Sequence, residues 1–165
     1  MKASKYVITT VLVILLVVFW VIGAKPLSDM VKTAEIDSNI EATLMRSIEI
    51  KNADGSITYE NAVIEFNEAS DSEAAKALIK VMGDVTCRKR GLMLPFEKVV
   101  VYSTGQDNIS ISFTSGGKKV ELVLLSGSST LYDVGSKSRS FDVAEYTFEK
   151  LAKVIEEHGS VRPQL

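Results

Sequence analysis

Residues 109–125 have the sequence ISISFTSGGKKVELVLL, and this stretch decides the fold class. Ile109, Ile111 and Phe113 alternate with hydroxyl-bearing residues, and a period of two is typical of a strand with one buried and one solvated face. The Gly-Gly pair at 116–117 suits the positive φ values of a tight hairpin turn, and a second apolar run follows it directly. The stretch therefore predicts a β-hairpin within an antiparallel meander.

Further strands are predicted on both sides of this hairpin. A turn rich in glycine and serine leads into an apolar strand at 131–134, and a last extended segment lies near Phe141. Upstream, an alternating strand begins near Leu44 and ends at the Asp-Gly pair at 54–55, which favours a tight turn. The return strand after this turn carries Ile57. These segments predict a mostly antiparallel sheet of five to seven strands.

Two segments have the 3.6-residue periodicity of amphipathic helices. In the first, Ser70 and Glu73 are predicted to form a capping box, and Gly83 to end the helix in the left-handed conformation. In the second, Asp142 and Glu145 repeat the capping pattern. The predicted buried stripes are Ala74, Ala75, Leu78, Ile79 and Met82 in the first helix, and Ala144, Phe148, Leu151, Ala152 and Ile155 in the second.

Together these elements predict one α+β domain over residues 44–159, with two helices packed on the sheet. Residues 160–165 are predicted to form a flexible tail. Residues 25–43 are predicted to form a linker or stalk. Apolar residues in this segment also recur at helical spacing, so the alternatives are a short helix that packs on the domain or one that lies on a lipid surface.

The N-terminal run from Tyr6 to Ala24 contains no charged residue. As a helix its nineteen residues would reach roughly 28 Å, close to the bilayer hydrocarbon thickness of about 30 Å. Lysines precede the run, whereas those after it are mixed with acidic residues, so the positive-inside rule places the N-terminus in the cytoplasm. The sequence predicts that residues 1–24 are a transmembrane anchor, single-pass in the cell membrane, with the domain outside.

The same segment also has features of a signal peptide. Lys2 and Lys5 form a positive n-region, and Ala24 offers a small residue at which a signal peptidase could cut. The uncharged run exceeds the core of about 7–15 residues in ordinary signal peptides, which favours the anchor. The alternative prediction is a protein that is secreted after cleavage near Ala24.

The composition argues against a nucleic-acid partner. The formal net charge is −2 at pH 7, without the basic excess expected of a nucleic-acid binder. Aromatic residues make up 7% of the chain and are scattered, so no platform for base stacking is predicted.

The residues that catalysis needs are sparse and dispersed. His158 and Cys87 are the one histidine and the one cysteine, no third group can be assigned to orient them, and His158 suits the negative end of a helix dipole. Ser115 and Lys118 match the S-x-x-K spacing of serine acyl enzymes, but the companion S-D-N and K-T-G motifs are absent. No zinc, calcium or phosphate-loop spacing occurs. The sequence predicts no enzyme activity, no metal and no cofactor.

Cys87 directly precedes a basic run. Neighbouring cations could lower the pKa of its thiol and make it reactive or able to link two chains. The interpretation that we favour is a small apolar residue on the inner face of a strand.

Basic residues are concentrated in the predicted meander, while acidic residues gather in the earlier part of the domain and the final helix. If the strands that carry them are neighbours, these residues would form a patch for an anionic wall polymer, a lipid headgroup or an acidic protein. The alternative is that they line exposed strand edges and prevent edge pairing. The candidate binding patch consists of Arg88, Lys89, Arg90, Lys98, Lys118 and Lys119.

The order of these elements resembles a known class of protein. A short Lys-flanked apolar segment, a β-hairpin, a capped helix, the meander ISISFTSGGKKVELVLL and the closing helix EYTFEKLAKVIEE are similar to small extracytoplasmic domains of unknown function in Gram-positive bacteria, which are often membrane-anchored or lipoproteins. The resemblance covers about Glu49 to Glu157 and implies no catalytic residues. The chain departs from the lipoprotein versions because no cysteine follows its apolar segment.

We therefore expect a membrane-anchored, extracytoplasmic binding or interaction module that is not an enzyme. Its expected partner is a protein or an anionic envelope component. One alternative is a structural subunit of a membrane complex that assembles through the transmembrane helix. Another is a cell-envelope hydrolase, which a deep pocket with convergent polar groups would favour.

Overall fold

One antiparallel sheet organises the domain. The computed structural model describes residue 6 and residues 8–16, 23–89, 106–135 and 139–162, leaving aside the side chains of Lys89 and Arg139. Within these ranges there are nine strands: β1 (Ala24–Pro26), β2 (Ile40–Lys51), β3 (Ile57–Glu68), β4 (Thr86–Lys89), β5 (Asn108–Ser115), β6 (Lys118–Leu125), β7 (Thr130–Asp133), β8 (Arg139–Asp142) and β9 (Ser160–Val161). They lie in the order β1-β4-β8-β7-β6-β5-β2-β3-β9.

The helices cover one face of this sheet. They are α1 (Leu27–Val31), α2 (Glu73–Asp84) and α3 (Thr147–His158), and a 3₁₀ turn spans Thr33–Glu35. Residues 8–16 are also helical. Helices α2 and α3 contact each other, and α3 also contacts β2, β3 and β5. The α+β class and the antiparallel sheet are therefore confirmed.

The core lies between the helices and the inner face of the sheet. Ile109, Ile111 and Phe113 of β5 are buried, while the hydroxyl-bearing residues between them are half-exposed. Leu78 of α2 and Leu151 of α3 belong to the same core. The alternation in residues 109–125 thus gives the strands that the pattern predicts, because one face of this hairpin belongs to the core to which both helices contribute.

The predicted turns form as glycine geometry requires. Ser115 pairs with Lys118 across the β5–β6 turn, where Gly116 and Gly117 have φ values of 55° and 69°. Positive φ at both central residues is the signature of the two-residue turn whose twist matches antiparallel strands. Gly55 in the β2–β3 turn has a φ of 83°.

The sheet is larger than the five to seven strands predicted, because short edge strands extend it at both sides. One of them, β1, comes from the segment 25–43 and the residue before it, and it pairs with β4. In that segment Leu27 and Val31 are buried, and Leu27 N donates to Val85 O at 2.8 Å. These contacts support the alternative in which residues 25–43 pack on the domain, in place of the linker or stalk.

The C-terminal tail also begins inside the sheet. Residues predicted to form a flexible tail, 160–165, include β9, which pairs with β3. Arg162 N donates to Val63 O at 2.9 Å. The predicted tail therefore starts with ordered backbone hydrogen bonds, and residues 163–165 lie outside the described ranges.

Helix ends differ from the predicted capping boxes. The N-cap of α2 is Ser72, whose hydroxyl accepts from Ala75 N at 3.0 Å, and the cap is not Ser70. The helix continues through Gly83 to Asp84 without a left-handed residue. Asp142 belongs to β8 and does not cap α3, which begins without a side-chain cap. Both helices form nonetheless, since their apolar stripes are buried.

In the described residues, no helix is long and apolar enough to cross a membrane. Much of the predicted anchor, residues 1–24, lies outside the described ranges. Its last residue, Ala24, belongs to β1 and pairs with Arg88 of β4. The first strand of the domain therefore begins at the last residue of the predicted anchor.

Candidate functional site

The β2–β3 hairpin extends beyond the rest of the sheet. The two strands pair with each other over twelve residues each. Strand β5 pairs with β2 only as far as Met45, and β9 pairs with β3 only at Ile64 and Glu65. Residues 48–60 therefore form a two-stranded projection, about 13 Å long in its paired part, which we call the hairpin arm.

The hairpin arm exposes apolar side chains on both of its faces. Ile48, Ile57 and Tyr59 are 49%, 50% and 49% exposed. Ile48 continues the inner face of β2, whose earlier members lie in the core, whereas Ile57 and Tyr59 point to the opposite face because they pair with odd-numbered residues of β2. Large exposed apolar side chains on a projecting element are typical of a surface that binds another macromolecule.

The tip of the hairpin arm is held by its own polar groups. Asp54 Oδ1 accepts from Ser56 N at 2.9 Å and from Ser56 Oγ at 2.6 Å, and Asn52 Nδ2 donates to Ser56 Oγ at 3.0 Å. The Ser56 hydroxyl, followed by its backbone N–H, lowers the pKa of Asp54 from its usual value. These bonds fix the turn, so the apolar residues on either side keep a defined geometry.

The base of the arm is held by Arg46 and three carboxylates, which we call the Arg46 cluster. Arg46 Nη1 donates to Asp107 Oδ2 at 2.9 Å, and its Nη2 donates to Glu149 Oε2 at 3.1 Å. Its Nε donates to Glu156 Oε1 at 3.0 Å. The guanidinium also lies 5.5 Å from the ring centre of Phe148. One side chain thus joins β2 to α3 and to the residue before β5.

The charge of Arg46 is stabilised where burial would oppose it. Its side chain is 26% exposed, and this partial burial works against the charged form. The hydrogen bonds that Arg46 donates to Glu149, Asp107 and Glu156 outweigh the burial and raise the pKa of Arg46 above its already high ordinary value. With one cation among three anions, the cluster is a structural clamp at the base of the arm.

Asp107 has a second role at the same place. Its Oδ1 accepts from Ser47 N at 2.7 Å, so it occupies the backbone N–H of β2 just beyond the last β5 pair. The pairing of β2 with β5 ends here, because a carboxylate takes the place of the next strand residue. The hairpin arm begins where this carboxylate stops the sheet.

The candidate basic patch is divided in the structure. Arg88 pairs with Asp142, which pairs with Thr130 at the start of β7. The start of β7 lies beside the end of β6, whereas Lys118 and Lys119 begin β6. Two strands, β8 and β7, separate Arg88 from the two lysines. Arg88 also lies level with the end of β6, whereas the lysines lie at its beginning.

The remaining members of the patch fall outside what the structure describes. The side chain of Lys89 and the whole of Arg90 and Lys98 belong to this group. Lys119 Nζ lies 3.0 Å from Glu121 Oε2, so one described member is paired with an acid on its own strand. The described residues supply no convergent basic surface.

The residues considered for catalysis lie apart in the structure, and two of them are buried. Cys87 is 1% exposed on the inner face of β4, and burial raises the pKa of its thiol to about 11. This supports the apolar interpretation and opposes a reactive thiol. Ser115 is buried and its Oγ donates to Lys32 O at 2.8 Å, within a hairpin and away from any helix start. His158 is exposed in the last turn of α3.

Metal ligands do not cluster in the described part of the chain, where no group of three histidine, cysteine or acidic residues could hold an ion.

The sequence predicts the β2–β3 hairpin but does not predict the hairpin arm or the Arg46 cluster. The available signal was Arg46 itself, a charged residue at an inner-face position between Leu44 and Ile48.

No protein family, curated protein or solved structure matches the chain.

Proposed function

We propose that the protein is a non-catalytic interaction module that binds a protein partner through its hairpin arm and is held outside the cell membrane by its N-terminal helix. The observation that carries the proposal is the arm itself. It projects from the sheet, is clamped at its base and tip, and exposes Ile48, Ile57 and Tyr59.

The hydrogen bonds at the base and the tip of the arm favour binding over accidental exposure. A free two-stranded hairpin is marginally stable in water, so an arm of this length needs supports to persist. The Arg46 cluster and the Asp54 turn are such supports. A surface that is held in its bound shape loses less conformational entropy when a partner docks.

The charge of the arm favours a protein partner over an anionic polymer. Its acidic residues are Glu49, Asp54 and Glu60, and its basic residue is Lys51. An anionic wall polymer or lipid headgroup would be repelled by this excess of acid. A partner with apolar side chains and strand edges of its own would fit it.

The N-terminal segment supports the proposed location. Residues 6–23 carry no charge, and β1 begins directly after them. An anchor that ended there would hold the sheet close to the outer face of the cell membrane. The hairpin arm would then meet partners in the same membrane or in the adjoining envelope.

Photo-crosslinking in intact cells tests the proposed function. A photoreactive phenylalanine analogue replaces Tyr59 in the full-length chain, and in a matched control it replaces Val134. Val134 is also an exposed apolar residue, but it lies beside Glu121, away from the arm. We expect a discrete protein adduct at position 59 and none at position 134. Equal labelling at the two positions, or no adduct at position 59, would contradict the proposal.

A further inference from the structure

The β2 side of the hairpin arm presents backbone groups that no described strand uses. Asn52 N donates to Ser56 O toward β3, whereas Ser47 N donates to Asp107 on the other side. Backbone groups alternate in direction along a strand. The N–H and C=O groups of Glu49 and Lys51 therefore point away from β3.

This open edge is short and has sharp limits. Asp107 occupies it at Ser47, and the turn begins at Ala53. Among the strands of the described ranges, β5 leaves β2 at Met45 and none takes its place beyond. The open edge thus consists of Glu49, Ile50 and Lys51.

We propose that this edge pairs with the same edge of a second copy of the chain, antiparallel and centred on Ile50, so that two hairpin arms form one four-stranded sheet. The proposal rests on the proposed function, since it names the partner of the same arm. A pairing centred on one residue is two-fold symmetric, which is the commonest symmetry of homodimers.

Charge selects this register from its neighbours. Centred on Ile50, the pairing sets Glu49 of each copy opposite Lys51 of the other, and both residues have their backbone groups directed at the partner. Centred on Glu49, it would oppose two glutamates, and centred on Lys51, two lysines. Opposite charges across an antiparallel pair stabilise it, while like charges destabilise it. The edge is therefore complementary to itself in one register.

The apolar residues of the arm support the same arrangement. In this register the two Ile50 side chains are directly opposite in a non-hydrogen-bonded pair, the type in which side chains lie closest. Ile48 is on the same face, and Ile57 and Tyr59 are on the other face. A two-stranded ribbon becomes one of four strands with apolar residues on each face, which exceeds the three strands that a sheet needs for independent stability in water.

Disulfide crosslinking tests the register. Ile50→Cys is made in the full-length chain with Cys87→Ala, so that position 50 carries the only thiol, and the protein in detergent micelles is oxidised with copper phenanthroline. Two Cα atoms at the centre of such a pair are about 4.5 Å apart, within disulfide range. The control is Thr58→Cys, which pairs with Ile50 within the arm but would lie about 14 Å from its counterpart, three strand spacings away. We expect a disulfide-linked dimer from the first variant only.

Charge reversal gives a second and independent readout. Glu49→Lys and Lys51→Glu are each added singly to the Ile50→Cys protein, and each should weaken self-association about tenfold by opposing like charges twice per dimer. The double reversal restores both opposite-charge pairs, so crosslinking should return to its original extent. If the edge bound a different protein, the charges of that protein would not change with these substitutions, so the double reversal would not restore binding.

The outcomes separate this inference from the proposed function. Absence of the Ile50→Cys dimer, equal crosslinking of Thr58→Cys, or no rescue by the double reversal would overturn self-pairing. If the photo-crosslinked adduct at position 59 then contains a different protein, the hairpin arm remains a binding surface with another occupant. If that adduct is also missing, both proposals fail.

Discussion

Arg46 is the single side chain on which the base of the hairpin arm depends. Arg46→Met keeps much of the apolar stem but leaves Asp107, Glu149 and Glu156 close together without their cation. Loss of charge-assisted hydrogen bonds at a partly buried site should lower the free energy of unfolding by about 2 to 3 kcal/mol. Urea denaturation of the variant and the wild type measures the difference.

Arg162→Met is the matched control for that experiment. Arg162 Nη1 lies 3.4 Å from Glu65 Oε1, and both side chains are largely exposed. Exposed pairs of this kind contribute roughly 0 to 1 kcal/mol. An Arg46→Met effect as small as that of the control would show that the cluster is not a clamp.

Cys87 should make the free energy of unfolding depend on pH in the alkaline range. Burial raises the pKa of the folded thiol to about 11, above its unperturbed value of 9.0, so the unfolded chain loses this proton first. The stabilising contribution is complete below about pH 9 and is lost as the pH rises toward 11. Between pH 7 and pH 10 the free energy of unfolding of the wild type should fall by about 1 kcal/mol more than that of Cys87→Ala. Parallel pH profiles of the two proteins would contradict the buried thiol.

The Arg46 cluster shows which residue-level features a sequence hides. Alternation along β2 predicts that position 46 faces inward, where an arginine is out of place until its partners are known. Two of those partners lie on α3, more than a hundred positions away, at Glu149 and Glu156. No local pattern connects such positions, so the cluster could be seen only once α3 was placed on the sheet.

The N-cap of α2 is a property of one helix end and is testable there. Ser72→Ala removes the hydroxyl that accepts from Ala75 N, and we expect a loss of about 1 kcal/mol in the free energy of unfolding. Ser70→Ala is the control, because Ser70 precedes the cap by two residues and should cost a few tenths of a kcal/mol at most. A larger effect at Ser70 would restore the capping box predicted from sequence. Thermal unfolding of both variants makes the comparison.

Elements were predicted more reliably than their ends or their neighbours. Both amphipathic helices and the hairpins around Gly55 and 116–117 follow from local pattern, because periodicity and glycine conformation are properties of a few adjacent residues. The cap at Ser72 and the edge strand β9 depend on where the chain meets other elements. The hairpin arm was missed for the same reason: the sequence predicts a strand at Ile48 but not whether another strand lies beside it.

The two outermost strands of the sheet come from segments that the sequence predicts to lie outside the domain. Strand β1 comes from the boundary of the predicted anchor, and β9 from the predicted tail. Edge strands this short present few open backbone groups, which protects the sheet from pairing with other chains. The open edge at Glu49 and Lys51 differs from these short strands, because it belongs to a twelve-residue strand and has no strand beside it in the described ranges.

Membrane attachment is a prediction about the entire chain, and the N-terminal helix allows a direct test. Leu12→Arg with Leu15→Arg places two cations near the middle of the apolar run, which raises the free energy of insertion by about 5 to 7 kcal/mol. We expect the wild type to stay in the membrane fraction after alkaline carbonate extraction with a mass that includes Met1, and the double arginine variant to be released. Leu12→Val with Leu15→Val, which keeps the run apolar, should behave as the wild type. If the mass of the wild type instead corresponds to a chain that begins near Lys25, it would establish cleavage and secretion. Strand β1 would then keep only the residues that follow Ala24.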